Sequence, residues 1–196
     1  GKSIIRAYNR FTGTETGRRV LAEKRSLLDT LSDRDQLRAM APDSLGRRYL
    51  EFVESESLTA DGLVEASEST ERMIENENVS RYAMRLRDSH DLWHTVTRYG
   101  RDGLGEVCLL GFTYAQTRNT GLAVIALAGG MKYARIIGWR AMIALWHGYM
   151  AGRRAAWLPS ADWEHLLTQP LDQVRDRLRV RAPSVYPDLR EGALAV

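Results

Sequence analysis

The sequence predicts an all-α fold, a single compact multi-helix domain, and three observations predict it. Apolar residues recur at three- and four-residue spacing along most of the chain, the period of one face of a helix. Strand-like alternation of apolar and polar residues is scarce. Glycine and proline breakers are confined to a few places, chiefly Gly100, Gly103 and Gly105, the Asn119-Thr120-Gly121 triplet, and Pro183 with Pro187. The 196 residues are enough to build one domain with its own core. The expected boundaries are a helical domain over 1–180 and a C-terminal tail over 181–196.

The elements follow in order. Ser32 is the expected cap between RSLLDTL and DRDQLRAM. Asp43 or Ser44 is the expected cap of LGRRYLEFVESE, where Leu45, Tyr49, Leu50 and Val53 share one helical face. Residues 66–80 are polar and read as a loop or an exposed helix. The stretch from Arg81 to Tyr99 carries Tyr82, Leu86 and Val96 at roughly helical spacing. After the glycine-rich break a helix is expected from about Leu104 to Thr117. A long apolar helical region follows, from about Leu122 to Met150, with a bend at Gly129-Gly130. Pro170 suits the first turn of a helix bearing Leu171, Val174 and Leu178.

Composition narrows the function. Lys and Arg number 28 and Asp and Glu 25, a net charge of +3. That balance, without runs of one sign, argues against nucleic acid. Cys108 is the only cysteine, which excludes a disulfide framework and cysteine-ligated zinc. It sits in the apolar EVCLLGF run and reads as an inert buried thiol. No secretory or transit segment is seen, so the expected location is cytoplasmic. The longest uninterrupted apolar run, Gly121 to Met131, is about half of what a membrane span needs. A soluble or peripheral protein is therefore expected.

The stretch that carries chemistry is HDLWH, His90 to His94. On a helix His90 and His94 are about 40° apart, and Asp91 lies about 60° beyond His94. Two imidazoles so placed can share one ion, with Asp91 as a third ligand or as an orienting partner. Glu106, just past the glycine-rich break, is the candidate fourth ligand. Spacing alone leaves the alternative open: two histidines four apart also arise by chance, and Glu106 also suits a helix N-terminus. His147 and His165 read as structural. Zinc-protease HExxH is not matched, because Asp91 is one methylene shorter than the glutamate base. A phosphohydrolase of the HD type needs a further histidine upstream, and His90 is the first in the chain. No GxSxG elbow occurs.

These residues bring a resemblance with them. His90-Asp91-x-x-His94 with Glu106, inside HDLWHTVTRYGRDGLGEV, resembles the signature of the coenzyme Q biosynthesis protein four family. The segments SLGRRYLEFVE, AQTRNTGLAVIALAGG and GRRAAWLPSADWEHLLTQPLDQVRDRL resemble further blocks of that family, and together they cover most of residues 17–180. One departure is Gly100-Arg101-Asp102-Gly103, where a Pro-Thr-containing turn is expected. It leaves the ligands untouched and bears on substrate preference.

The resemblance implies one divalent metal on His90, Asp91, His94 and Glu106. Zinc is the first choice, with iron, manganese or magnesium as alternatives. It implies a metal-dependent lyase that removes, oxidatively, the carboxyl group at ring carbon one of a polyprenylated hydroxybenzoate. It equally implies a non-catalytic, lipid-binding scaffold for other quinone-biosynthesis proteins, with a structural metal, or a related enzyme acting on another hydrophobic metabolite. The implied partners are a prenylated aromatic or prenyl lipid, those other proteins, a membrane surface (the inner membrane, approached from the cytoplasm) and a second copy in a homodimer. The apolar stretches CLLGF and LAVIALAGG are the expected lining of a tunnel or cleft for the prenyl tail. Arg98, Arg101, Lys132, Arg135 and Arg140 are candidates to meet a carboxylate or a lipid phosphate.

Overall fold

The computed structural model describes residues 2–55 and 76–194. The polar reading of 66–75 lies outside them. Among the described residues the regular structure is helical, as expected. The β-type pairing found there is an isolated bridge between Ser44 and Pro170. The helices are α1 Lys2–Thr12, α2 Glu15–Glu23, α3 Leu27–Ser32, α4 Arg34–Ala39, α5 Leu45–Ser55, α6 Glu77–Asp88 and α7 His90–Thr97. They continue as α8 Gly103–Thr117, α9 Thr120–Ile137, α10 Arg140–Arg154, α11 Trp163–Leu166, α12 Leu171–Leu178 and α13 Tyr186–Leu194.

Short polar side chains start these helices by accepting from otherwise unpaired backbone N–H groups. Ser44 Oγ accepts from Arg47 N at 3.2 Å, as expected. Ser32 is instead the last residue of α3, and Asp33 caps α4 by accepting from Gln36 N at 3.0 Å. The break falls one residue later than read, because the carboxylate of Asp33 reaches the first turn of α4.

The chain forms two compact units. The first contains the residues up to Leu92 together with Pro159–Val174. Its core includes Phe11, Leu37, Tyr49, Tyr82 and Trp163, all essentially inaccessible. Phe11 and Tyr82 pack with ring centres 5.0 Å apart. The later segment is tied in by backbone bonds: Leu45 N donates to Gln169 O at 2.9 Å, and Gly46 N to Leu167 O at 2.8 Å. Arg85 grips Glu164 in a two-pronged pair, Nη1–Oε1 2.6 Å and Nη2–Oε2 2.7 Å, with both side chains largely buried.

The second unit contains Trp93–Leu158 and the segment from Arg175 onward. Val107 of α8, Ala126 of α9 and Leu145 of α10 form its shared cluster, with Leu110, Tyr133 and Met142 packed around it. Gln116 ties α8 to the end of α10 and the segment beyond it: Nε2 donates to Gly152 O at 2.6 Å, and Oε1 accepts from Leu158 N at 2.8 Å. Within 181–196, expected as a tail, α13 forms, and Tyr186 and Leu189 are buried.

The apolar region after Asn119 departs from expectation in two ways. It is two helices, and the break falls at Gly138, whose φ is 87°, not at Gly129-Gly130. A left-handed φ suits glycine at a helix end, whereas Gly130 sits buried inside α9 beside Leu145 and Met142. Moreover α9 turns its small residues inward. Ala126 and Gly130 are buried, while Val124, Ile125, Leu127 and Met131 are exposed, the first by 66%. These are residues the sequence assigned to a tunnel lining. With 18 residues and a mean hydropathy of 1.3, α9 is long and apolar enough by length and composition alone to cross a membrane. Counting the uninterrupted run understated its length, about 27 Å at 1.5 Å per residue.

Candidate metal centre

His90, Asp91 and His94 lie on α7, and one ligand atom of each lies within 4.8 Å of the other two. Their proximity follows from helical spacing, as the sequence indicated. Asp91 and His94 are buried and His90 is partly exposed. His90 Nδ1 stands 3.4 Å from Asp91 Oδ1. A buried carboxylate beside two imidazoles is a setting that a dication neutralises.

The orientation of His94 comes from the turn that ends α7. Arg98 adopts φ 66°, in the left-handed region, and its N–H donates to His94 O at 2.9 Å. That is a helix-closing turn. It carries the chain back so that the carbonyl of Tyr99 lies 2.8 Å from His94 Nδ1. A carbonyl only accepts, so Nδ1 carries a proton, and in the neutral imidazole Nε2 then keeps its lone pair, the tautomer a metal ligand needs. Nε2 in turn lies 3.4 Å from Glu106 Oε1. Two imidazoles and the Asp91 carboxylate form a donor set that fits a divalent ion, and Glu106 stands outside that close group, beside His94.

Glu106 owes its position to the start of α8. Asp102 caps that helix, accepting from Gly105 N at 2.9 Å, and Glu106 N donates to Asp102 O at 2.9 Å. A side chain at Gly105 would collide with the carbonyl of Gly100, 2.2 Å from an added Cβ, so the tight approach of loop and helix requires glycine there. Asp102 is itself gripped: Tyr186 donates its hydroxyl to it, and Arg190 Nε lies 3.3 Å away. Burial, and then this bond to Asp102, holds the Tyr186 phenol above its ordinary range. Arg101 Nε lies 3.9 Å from Glu106 Oε1.

Sequence reasoning missed three contributors. The Tyr99 carbonyl belongs to the backbone and leaves no mark in residue identity. Asp102 lies in the turn that departs from the family pattern, although an Asp directly before a helical stretch is itself a recognisable cap. Tyr49 is placed by the sequence only on the shared face of Leu45, Leu50 and Val53. Burial, and after it the charge of Asp91, raises its phenol above the ordinary range. Cys108 is fully buried, and burial pushes its thiol up, in keeping with an inert residue.

An all-helical protein bearing an imidazole–carboxylate group suited to one divalent ion is the class these features define. Residues 2–184 match the family model of the coenzyme Q (ubiquinone) biosynthesis protein Coq4, and the chain belongs to that family. A mitochondrial ubiquinone biosynthesis protein COQ4 of Podospora anserina is 30% identical over 190 residues, 96% of this chain and 60% of its own length. That of Phaeosphaeria nodorum is 32% identical, over 96% of this chain and 62% of its own. The Danio rerio COQ4 homologue is 28% identical, over 94% and 66%. The chain thus spans about three fifths to two thirds of these relatives. A crystal structure of a Nostoc punctiforme protein ascribed to ubiquinone biosynthesis superposes with a TM-score of 0.68, over 92% of this chain and 82% of that one, at 18% identity, which shows the shared fold. The expectation of a cytoplasmic location against an inner membrane is corrected here, because these curated relatives are named as mitochondrial proteins.

Proposed function

We propose that the chain acts in ubiquinone biosynthesis as a metal-dependent lyase, removing the ring-carbon-one carboxyl of a polyprenylated hydroxybenzoate as carbon dioxide. The observation that carries the reading is the His90–Asp91–His94 group on one helix, with His94 locked by the Tyr99 carbonyl and facing Glu106, in a chain of the Coq4 family. A divalent ion on His90, Asp91, His94 and Glu106 would supply Lewis-acid stabilisation of charge on the substrate oxygens. The protein's own part is orientation and charge. Tyr99 fixes the imidazole, Asp91 sets the net charge of the donor set from a buried position, and Glu106 sits in the first turn of α8, where the helix dipole favours a carboxylate. Oxidation of the same ring carbon requires a two-electron acceptor in addition. The test is complementation of a quinone-deficient strain, with the carboxylated precursor quantified, comparing Asp91→Asn with the unaltered chain.

A second reading has its own observation. The exposed apolar face of α9, with Lys132 and Arg135 interspersed and Trp139 73% exposed just beyond, suits a membrane surface. The aliphatic residues would enter the headgroup boundary while the two cations meet anionic lipid. This favours a lipid-associated scaffold for other quinone-biosynthesis proteins, with the metal structural. A homodimer through the same face is the competing occupant. Flotation with liposomes, alongside mass measurement in solution, separates the two.

A further inference from the structure

The second unit contains a cavity of about 790 Å³, and its wall is cationic. Arg154 comes from the last turn of α10, Arg175 from α12, and Arg179 and Arg181 from the turn beyond it. His147 and Ser184 complete the polar lining. One carboxylate, Asp176, lines it with them. Arg175 is structural: its Nε donates to Val96 O at 3.1 Å and its Nη2 to Thr95 O at 3.0 Å. Among the described residues Arg154, Arg179 and Arg181 meet no carboxylate at ion-pair distance. Three guanidinium groups gathered around one concavity repel one another and focus a positive potential into it. His147, which reads from the sequence as structural, lies on this wall with Nδ1 3.2 Å from Ser184 Oγ. The remaining wall is apolar, from Met150, Val180 and Pro183.

We propose that this cavity binds a phosphate-bearing organic molecule. Its phosphate meets Arg154, Arg179 and Arg181, and its apolar part meets Met150, Val180 and Pro183. Phosphate is favoured over a single carboxylate because it presents three oxygens and up to two charges to several guanidinium forks at once. The backbone supports the arrangement. Arg179 adopts φ 55° at the close of α12, and Val180 N donates to Arg175 O at 2.9 Å, which fixes the turn whose Arg179, Val180 and Arg181 line the cavity. The proposal stands independently of the metal centre. The source of the phosphate is a soluble ester or a phospholipid headgroup, and the experiment separates them.

Calorimetry at fixed ionic strength would compare inorganic phosphate, phenyl phosphate and phenol. Vesicle sedimentation would compare phosphatidylcholine with and without phosphatidic acid. The expected result is that phenyl phosphate binds better than inorganic phosphate or phenol, or that phosphatidic acid enhances vesicle binding. The first outcome assigns a soluble ester and the second a headgroup. In the Arg154→Gln/Arg181→Gln double variant, and separately in Arg179→Gly, which retains the left-handed backbone, that preference should weaken about tenfold while the melting temperature holds. Equal binding by the variants overturns the proposal. So does a preference in neither assay, with phenyl phosphate binding no better than inorganic phosphate or phenol and phosphatidic acid leaving vesicle binding unchanged.

Discussion

His94 Nδ1 lies 2.8 Å from the carbonyl oxygen of Tyr99, and the residue between α7 and that carbonyl, Arg98, holds a left-handed backbone at φ 66°. The metal-facing tautomer of a histidine is thus set by a turn five residues downstream. An arginine there carries a conformational cost of about 1 kcal/mol that glycine would not. Arg98→Gly should therefore leave metal binding intact and Arg98→Val should not, because a β-branched residue resists positive φ. Metal titration should show a loss on the order of 10-fold for Arg98→Val, the scale of disturbing a partner that orients a ligand. Equal affinity in both variants would remove the Tyr99 carbonyl from the account.

The ion itself is the second prediction. Elemental analysis of purified protein should find about one divalent metal per chain. His94→Ala should lose most of it, because it removes the ligand whose geometry the fold controls most tightly. Glu106→Ala should weaken binding less, since its side chain is one-third exposed and water can take its place. Unchanged metal content in both variants would end the assignment.

The Arg85–Glu164 pair yields a stability prediction within the first unit. Burial alone would raise the Glu164 carboxyl, yet the hydrogen bonds and charge of Arg85 outweigh it and hold the group below its ordinary value. A carboxyl depressed by folding contributes stability that is fully present above its unfolded pKa and is lost as pH falls through the folded value. Acid melting should therefore show a loss in that window that is absent from Arg85→Met/Glu164→Leu. Arg85→Met alone leaves a buried carboxylate unpaired and should cost about 3–5 kcal/mol at neutral pH, read by denaturant unfolding.

Much of this was legible because it is local. The facing of His90, Asp91 and His94 comes from 100° per residue, and the face of Leu45, Tyr49, Leu50 and Val53 from the same period. The features that escaped were set by tertiary or backbone geometry. The Tyr99 carbonyl has no side-chain signature. The break at Gly138 competed with Gly129-Gly130, a more conspicuous pair, which stays helical where Gly129 packs against Val107 and Gly130 against Leu145 and Met142. The outward face of α9 ran against the rule that large apolar residues go inside. Here the small residues Ala126 and Gly130 take the interior, because they let α9 pack closely on its neighbours.

That inverted face gives a prediction of its own. Ile125→Glu/Leu127→Glu should leave the melting temperature nearly unchanged, because both side chains are already more than half exposed. It should abolish flotation with anionic liposomes if α9 lies on a membrane. Flotation equal to that of the unaltered chain would dismiss the membrane reading. A change from dimer to monomer, with no liposome binding by either form, would assign the face to a second copy.

The last prediction separates enzyme from scaffold. Asp91 is buried on α7 within reach of both imidazoles, so Asp91→Asn preserves size and removes one negative charge from the donor set. A metal centre that stabilises charge during loss of a carboxyl group should respond steeply, since its electrophilicity depends on the charge of its ligands. The variant should retain its fold, shown by an unchanged helical circular dichroism spectrum, and should accumulate the carboxylated precursor while failing to restore quinone synthesis. Glu106→Gln should act in the same direction. Metal content is measured in parallel, so that loss of the ion is distinguished from altered chemistry on a retained one. A purely structural ion in a scaffold makes the opposite demand: any folded, metal-loaded variant should complement fully. If Asp91→Asn and Glu106→Gln both remain metal-loaded and both restore quinone synthesis to the unaltered level, the lyase reading falls and the scaffold, with its exposed α9 face, takes its place.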